Sequence, residues 1–313
     1  MSASSRPVER VVRDPRFERL VPADAQLVWL ADGDRWAEGP VYVPADDSVV
    51  WSDVRRNLVR RWSATRGATD LHHPSDFANG HTLDHDGQIL ACEHGRRRVS
   101  RYEPDGSRTT VVDRYRGKRF NSPNDLVVAS DGAIWFTDPP YGILDDSEGY
   151  KAQSELGGCF VFRLDRSTGE LTVATDFLVH PNGLAFSPDE RTLYVSDTSI
   201  ARIKGGNHHI VAFDVVDGRR LESPRIFKVI EPGVSDGLRV DVEGNIWTSA
   251  GDGIQVYDAD AVELGRILLP QEASNCTFGG PDGRRLFITA TSTLWSIEVG
   301  IRGAVTPWVD ATP

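Results

Sequence analysis

An acidic or amide residue recurs at the head of six similar segments, and this repeat constrains the fold more than any other feature of the chain. The six heads are Glu38, Asn79, Asn124, Asn182, Asp236 and Asn275. By subtraction, successive heads lie 41, 45, 58, 54 and 39 residues apart. Each head is followed by a short apolar run, a turn and a run rich in β-branched and aromatic residues, as in 124–138. Repeats of about 40 to 60 residues with several short strands are typical of propellers.

Each unit ends with two further strand-like runs, for example 159–169 and 170–177. Six such units predict an all-β fold, a six-bladed β-propeller with four-stranded antiparallel blades around a central channel. Because the innermost strands run side by side around the axis, we expect the six heads at one mouth of that channel. The last blade needs a strand from one terminus, and both 25–33 and 304–310 fit that position.

The repeat runs from about residue 25 to about residue 310 without a linker, which predicts a single domain over 25–313 after an N-terminal extension over 1–24. Residues 1–20 contain no apolar signal-peptide core, and no apolar run is long enough to span a bilayer. We therefore expect a cytoplasmic protein. A net charge of −11 disfavours nucleic acid and anionic membranes as partners, and nothing in the sequence indicates a protein partner.

The cysteines exclude two kinds of structural site. Cys92, Cys159 and Cys276 lie in different units and form no Cys-x-x-Cys pair. This pattern argues against a disulfide framework and against a zinc site built from thiolates. We interpret all three as small apolar residues of strands.

Six oxygen-bearing side chains at one mouth form a candidate cation site. Glu, Asp and Asn oxygens without Cys or His are the ligands of a hard divalent cation, and a wide, flexible site favours Ca²⁺ over Mg²⁺. Mn²⁺ and Zn²⁺ are further alternatives. The opposing interpretation is that Asn-Gly, Asn-Asp and Asp-Gly pairs only shape turns. Glu38 argues against it, since glutamate is a poor turn former that here occupies the same repeat position.

Five short motifs carry a resemblance to a known family. They are WAEGP (36–40), SPND (122–125), TDPPYG (137–142), PNGL (181–184) and SDG (235–237). Together they resemble the gluconolactonase and regucalcin (senescence marker protein) family, in its bacterial gluconolactonase branch, over about 30–299. The resemblance implies a six-bladed propeller with one divalent metal in its channel. The implied ligands are a Glu, two Asn and an Asp, which fall on Glu38, Asn124, Asn182 and Asp236.

The resemblance also implies a reaction, the metal-dependent hydrolysis of a sugar lactone such as D-glucono-1,5-lactone to D-gluconate. The metal would polarise the lactone carbonyl, and Asp236 would be the general base that activates water. Attack by Asp236 itself, or by hydroxide on the metal, stays open. Two other functions are alternatives: an organophosphate or aryl-ester hydrolase on the same scaffold, and a calcium-binding propeller without enzymatic activity.

Five further residues are candidates for contacting the substrate. They are Asn79, His81, Asp138, Tyr141 and Asn275. Asn79 and Asn275 are heads outside the implied ligand set, and His81 is on the same strand face as Asn79. Asp138 and Tyr141 follow a second strand, where a loop can reach the mouth. The competing interpretations are a buried, satisfied histidine at His81 and a proline-rich turn around Asp138. Residues 143–158 are expected to form a loop over the mouth.

Overall fold

The computed structural model describes residues 5–304, which form 28 strands and only short helices. The N-terminal segment contains β1 (Ser5–Pro7), β2 (Glu9–Val12), α1 (Phe17–Leu20) and β3 (Gln26–Asp32). Short 3-10 helices lie at Pro44–Asp46, Val54–Arg56 and Ser199–Ala201. No helix within the described range has the length and apolar character needed to cross a membrane.

The first three blades follow β3 in chain order. Blade 1 contains β4 (Ala37–Val43), β5 (Ser48–Asp53), β6 (Leu58–Ser63) and β7 (Gly67–His72). Blade 2 contains β8 (Ala78–Leu83), β9 (Ile89–Glu93), β10 (Arg98–Tyr102) and β11 (Arg108–Val112). A small ribbon follows, formed by β12 (Arg114–Tyr115) and β13 (Lys118–Arg119). Blade 3 contains β14 (Leu126–Val128), β15 (Ile134–Asp138), β16 (Phe160–Leu164) and β17 (Leu171–Thr175), with α2 (Tyr141–Leu144) after β15.

The last three blades complete the ring. Blade 4 contains β18 (Pro181–Phe186), β19 (Thr192–Asp197), β20 (His209–Val216) and β21 (Arg220–Val229). Blade 5 contains β22 (Leu238–Val240), β23 (Ile246–Ala250), β24 (Gly253–Tyr257) and β25 (Glu263–Leu268). Blade 6 contains β26 (Ala273–Gly279), β27 (Arg285–Ala290), β28 (Thr293–Glu298) and the N-terminal β3. Six blades of four antiparallel strands confirm the predicted propeller.

The N-terminal strand β3 closes the ring. It pairs antiparallel with β28, with Leu27 opposite Ile297 and Trp29 opposite Trp295. Of the two segments that fit this position in the sequence, 25–33 therefore supplies the strand. The other, 304–310, lies outside the described residues apart from Ala304.

Residues of the predicted N-terminal extension, 1–24, add a fifth strand to two blades. β1 pairs with β3 on blade 6, and β2 pairs with β25 on blade 5. The side chains of Phe17 and Leu20 in α1 are fully buried in the core between these two blades. The segment thus ties blade 5 to blade 6 beside the closing strand.

The hydrophobic core is divided into six clusters, one between each pair of neighbouring blades. Trp51 packs between blades 6 and 1, Trp135 between blades 3 and 4, and Trp247 between blades 5 and 6. Because both faces of a blade are covered by its neighbours, no blade buries its apolar residues alone. The innermost strands β4, β8, β14, β18, β22 and β26 contact one another in a closed ring around the channel.

Candidate functional site

The six heads of the repeat lie at the start of the innermost strands. Each is inside, or two residues before, β4, β8, β14, β18, β22 or β26. Their backbones are joined from blade to blade, since Gly80 N–H donates to the Asn124 carbonyl at 2.8 Å and Gly183 N–H to the Asp236 carbonyl at 2.9 Å. Their side chains meet as well, since Asn275 Nδ2 donates to Glu38 Oε2 at 3.0 Å.

The glycines that follow four of the heads reflect close packing between blades. They are Gly39, Gly80, Gly183 and Gly237. A Cβ at Gly80 would lie 2.7 Å from the Asn124 carbonyl oxygen, and one at Gly183 would lie 2.4 Å from that of Asp236. Of these four glycines only Gly39 has a positive φ, +55°. The Asn-Gly and Asp-Gly pairs therefore mark the approach of neighbouring inner strands rather than turns.

Two of the six heads, Glu38 and Asp236, are acids with raised pKa values. Glu38 is 3 % exposed. The pKa of Glu38 is raised to about 7. Burial is the main cause and the nearby Asp125 adds to it, whereas the hydrogen bonds from Asn275 and from Gly39 N–H lower the pKa. The pKa of Asp236 is also raised well above its ordinary value, first by burial and then by the charge of Glu38. A cation bound between the two would stabilise both as carboxylates.

An ion pair spans the channel below the heads. Arg239 Nη1 in blade 5 lies 3.4 Å from Asp125 Oδ2 in blade 3, and these blades are not neighbours. The Asn275 amide of blade 6 also donates to Asp125, on the opposite side of the ring. When ionised, the carboxylates of Glu38, Asp236 and Asp125 and the Arg239 guanidinium sum to −2, which is the charge that one divalent cation neutralises.

The sequence reasoning missed Asp125 and Arg239. Asp125 directly follows a head, and Arg239 stands in the short inner strand β22 between the buried Leu238 and Val240. Arg239 could have been identified from the sequence as a charged residue inside an apolar inner strand. Its side chain can face only the channel or a blade core, and an unpaired charge is rarely buried in a core.

The two asparagines of the predicted ligand set keep oxygens available. Asn182 Nδ2 donates to Thr198 Oγ1 at 2.9 Å, and the same amide donates to the Asp236 carboxylate. Its Oδ1 is left for another partner. Asn124 is buried, and its side chain makes no hydrogen bond within residues 5–304. Its Oδ1 is therefore available to a ligand, and an amide oxygen is a donor that a hard cation accepts.

The other two asparagine heads are oriented differently from each other. Cys276 N–H donates to Asn275 Oδ1 at 2.8 Å, so the NH₂ of Asn275 faces Glu38. Asn275 is thus a donor to the acids. His94 Nδ1 lies 2.9 Å from the Glu148 carbonyl and carries the proton of the neutral ring, so His94 Nε2 accepts from Asn79 Nδ2 at 3.3 Å. This leaves Asn79 Oδ1 as a free acceptor.

The remaining predicted substrate residues are buried and hydrogen-bonded to groups of the protein. His81 Nδ1 donates to the Gly39 carbonyl at 2.9 Å, and its Nε2 lies 3.2 Å from the Tyr102 hydroxyl. The Tyr141 hydroxyl lies 2.6 Å from Thr198 Oγ1, which links it to Asn182. Asp138 is fully buried and accepts two backbone N–H groups. Contact of these three with substrate stays a prediction.

Residues 143–158 connect to three other blades beside the mouth. The Glu148 carboxylate accepts from Arg55 of blade 1 at 2.9 and 3.0 Å, and the Glu148 carbonyl accepts from His94 of blade 2. Asp145 lies 3.5 Å from Arg202, which follows the third 3-10 helix in blade 4. His94 also accepts from the head Asn79, so this loop is joined to the ring of heads through His94.

Residues 233–237 have the Gly-x-Ser-x-Gly spacing of a nucleophile elbow, but their structure differs from one. The Ser235 hydroxyl is buried and lies 2.7 Å from both Ser196 Oγ and Thr248 Oγ1. An activated serine needs a basic partner, which these hydroxyls do not provide. Asp236, next to it, is the partly exposed residue of this motif at the channel.

No group of three or more His, Cys, Asp and Glu side chains in residues 5–304 is placed to hold a metal ion. Two of the four predicted ligands are asparagines, and asparagine is not one of these four residue types. The residues present therefore fit a hard cation bound by carboxylate and amide oxygens, and they do not fit a zinc site of histidines and thiolates.

Comparison with known proteins places this chain in a family. A profile of the SMP-30/Gluconolactonase/LRE-like region matches residues 36–292. The chain belongs to this family. It is 34 % identical over 296 residues to a gluconolactonase of Zymomonas mobilis, covering 88 % of this chain and 82 % of that protein. It is 31 % identical to pentonolactonase XacC of Haloferax volcanii, covering 82 % and 81 %.

Solved structures agree with the fold of this family member. A gluconolactonase of Xanthomonas campestris superposes with a TM-score of 0.88 at 41 % identity, covering 95 % of this chain and 96 % of that one. A regucalcin of Agrobacterium tumefaciens, described as a calcium-binding protein, superposes with a TM-score of 0.73 at 20 % identity, covering 89 % and 95 %. The second likeness bears on the fold alone.

Proposed function

We propose that this family member hydrolyses a sugar lactone to its hydroxy acid at the mouth of the channel, with D-glucono-1,5-lactone as the first substrate to test. The gluconolactonase and pentonolactonase relatives support a lactone-hydrolysing carboxylic-ester hydrolase. The observation that carries the proposal for the site is the pair of acidic heads Glu38 and Asp236 at the start of the inner strands, where burial raises both pKa values and the charge of Glu38 raises that of Asp236 further.

The proposed cofactor is one divalent cation, with Ca²⁺ favoured and Mg²⁺, Mn²⁺ or Zn²⁺ as alternatives. Glu38, Asn124, Asn182 and Asp236 would hold it. The unpartnered amide of Asn124, the available Oδ1 of Asn182 and the charge sum of −2 support this set. When bound, the cation supplies a Lewis acid that polarises the lactone carbonyl and stabilises negative charge on its oxygen.

Asp236 is the proposed general base. It is the one head of the six with partial exposure, whereas the other five are buried, and we propose that the attacking water enters beside it. The carboxylate takes a proton from the water that attacks the lactone carbonyl carbon. The bond between this carbon and the ring oxygen then breaks, and the leaving oxygen takes the proton back from Asp236. Asn182 orients the base, since its NH₂ donates to the Asp236 carboxylate.

Polar groups around the mouth favour a sugar over an aryl ester. Asn79 Oδ1 can accept from a sugar hydroxyl, because its NH₂ is held by His94. Thr198 and Tyr141 bring two hydroxyl groups beside Asn182. A site that presents buried donors and acceptors discriminates strongly against ligands that cannot pair with them. Residues 143–158 limit access from the side of blades 2 and 4.

The test is hydrolysis of D-glucono-1,5-lactone, followed with a pH indicator after chelation and after separate addition of Ca²⁺, Mg²⁺, Mn²⁺ or Zn²⁺. Turnover above the spontaneous rate that returns with one cation is the expected result. Phenyl acetate and paraoxon serve as the aryl-ester and organophosphate controls. Cation binding without turnover of the lactone would overturn the proposal, and turnover of a control ester would identify the alternative hydrolase.

A further inference from the structure

A carboxylate recurs at the end of the second strand in three blades. Asp53 ends β5 in blade 1, Asp138 ends β15 in blade 3, and Asp197 ends β19 in blade 4. Each is buried, and each accepts hydrogen bonds from two consecutive backbone N–H groups of its own blade. The same arrangement therefore occurs three times, on residues that the function proposed above does not use as ligands.

The two donor residues occupy the same sequence positions relative to the head in all three blades. They are the residues three and two positions before Glu38, Asn124 and Asn182. The bonds run from Arg35 and Trp36 to Asp53 at 3.1 and 3.2 Å, from Asn121 and Ser122 to Asp138 at 2.8 Å each, and from Val179 and His180 to Asp197 at 2.8 and 3.3 Å.

The other three blades lack this arrangement. Their second strands end at Glu93, Ala250 and Ala290. The Glu93 carboxylate is directed to side chains instead, with Arg98 Nε at 2.6 Å and Arg108 Nη1 at 3.1 Å. The heads of blades 2 and 6, Asn79 and Asn275, are outside the proposed ligand set. In blade 5 the N–H of Asp236 itself donates to Ser249 Oγ at 2.8 Å.

We propose that Asp53, Asp138 and Asp197 are positioning residues that fix Glu38, Asn124 and Asn182 for the cation. The inference rests on the cation site of the proposed function. Hydrogen bonds from N–H groups to a carboxylate are stronger than neutral ones, and two of them fix the backbone just before each head. The innermost strand then starts in one orientation, which sets where the ligand oxygen points. Partners behind metal ligands typically affect affinity by about 10- to 100-fold.

The experiment compares Asp138→Asn with Glu93→Gln. Both changes neutralise a fully buried carboxylate at the end of a second strand, but only Asp138 accepts from the backbone just before a head that is a proposed ligand, Asn124. Binding of Ca²⁺ is measured by titration calorimetry, and the urea midpoint is measured in chelator. We expect a loss of Ca²⁺ affinity of about tenfold or more in Asp138→Asn and less than about twofold in Glu93→Gln. Equal effects in the two variants would overturn the inference.

A charge-preserving variant separates positioning from long-range electrostatics. Asp138→Glu keeps the negative charge but moves the carboxylate by one methylene, so we expect Ca²⁺ affinity to fall here too. Wild-type affinity in Asp138→Glu would mean that charge alone matters and would overturn the inference. If the Asp138 variants do not fold, Asp197→Asn and Asp197→Glu replace them.

The outcomes also distinguish failure of the positioning role from failure of the proposed lactone hydrolysis. Wild-type protein that binds Ca²⁺ without hydrolysing lactone would remove the proposed reaction and leave the positioning role intact. Wild-type protein that binds none of the four divalent cations would remove both.

Discussion

Asn275 in the last blade donates its amide N–H to the Glu38 carboxylate in the first blade, across the junction where the ring closes. The bond fixes one acid of the proposed cation site with a residue that is 237 positions away in the chain. Cys276 N–H holds the other end of the Asn275 amide, so its donor cannot turn away from Glu38. The orientation of Glu38 therefore depends on a residue of the last blade.

Asp236→Asn removes the proposed base while keeping a side chain of similar size. We expect lactone turnover to fall by about 10²- to 10⁴-fold, the range typical for loss of a general base, with the fold retained. The pH-indicator assay measures the rate, and the urea midpoint checks the fold. Turnover equal to that of the wild type would remove the role assigned to Asp236.

Glu38→Gln removes one of two buried acids that repel each other. In chelator, we expect this variant to be at least as stable as the wild type, because burying an amide costs less than burying a charge. With saturating Ca²⁺ the order should reverse, since ligand at about 100 times its Kd stabilises a protein by about 2.7 kcal/mol. Thermal melts with chelator and with Ca²⁺ test this. The same order under both conditions contradicts the ligand role.

Asn124→Ala and Asn79→Ala form a matched pair, since both shorten an asparagine head. Asn124 is a proposed ligand without a hydrogen-bond partner in residues 5–304, whereas Asn79 is bonded to His94. We expect Asn124→Ala to weaken Ca²⁺ binding by at least about tenfold and Asn79→Ala to change it little. Calorimetric titration measures both constants, and an equal loss would show that the ligand set is wrong.

Arg239→Leu leaves Asp125 buried in the channel without its cationic partner. Removing one member of a buried ion pair typically costs about 3–5 kcal/mol. We expect urea denaturation in chelator to show a loss of this size. Adding Asp125→Asn to Arg239→Leu should restore much of it. Failure of the double variant to recover stability would show that Arg239 acts through packing rather than through its charge.

His81→Gln tests the buried histidine between blades 1 and 2. Burial lowers the pKa of His81 to about 4, below its ordinary value of 6.5. The folded protein therefore holds His81 neutral while the unfolded chain takes up a proton. This contribution to stability is complete above about pH 6.5 and is lost as the pH falls toward 4.

Between pH 7 and pH 5 the urea midpoint of the wild type should therefore fall more than that of His81→Gln. The difference corresponds to about 2 kcal/mol at pH 5. Parallel falls in the two proteins would mean that other groups control the acid sensitivity.

The blades were predictable because their signals are local. Alternating apolar residues and turn pairs recur in every unit, and the heads mark the innermost strands without any knowledge of contacts. Ring closure was not predictable, because 25–33 and 304–310 both read as apolar strands and only pairing with β28 distinguishes them.

The roles of individual heads depend on their surroundings. Asn182 and Asn275 are the same residue at the same repeat position, yet one offers an oxygen and the other an NH₂. The difference arises from Thr198 in one blade and the Cys276 N–H in the other. The Arg239 and Asp125 pair joins residues 114 positions apart, which no local pattern indicates.

The closing strand β3 also affects when the protein can mature. Leu27 is translated 270 residues before its partner Ile297, by subtraction. The strands of blades 1 to 5 are all translated before the partner of β3 is available. The sixth blade must wait for both ends, and such distant contacts form slowly. Glu38 and Asn275 therefore meet late in folding, and a chain terminated before Asn275 cannot form the bond that holds Glu38.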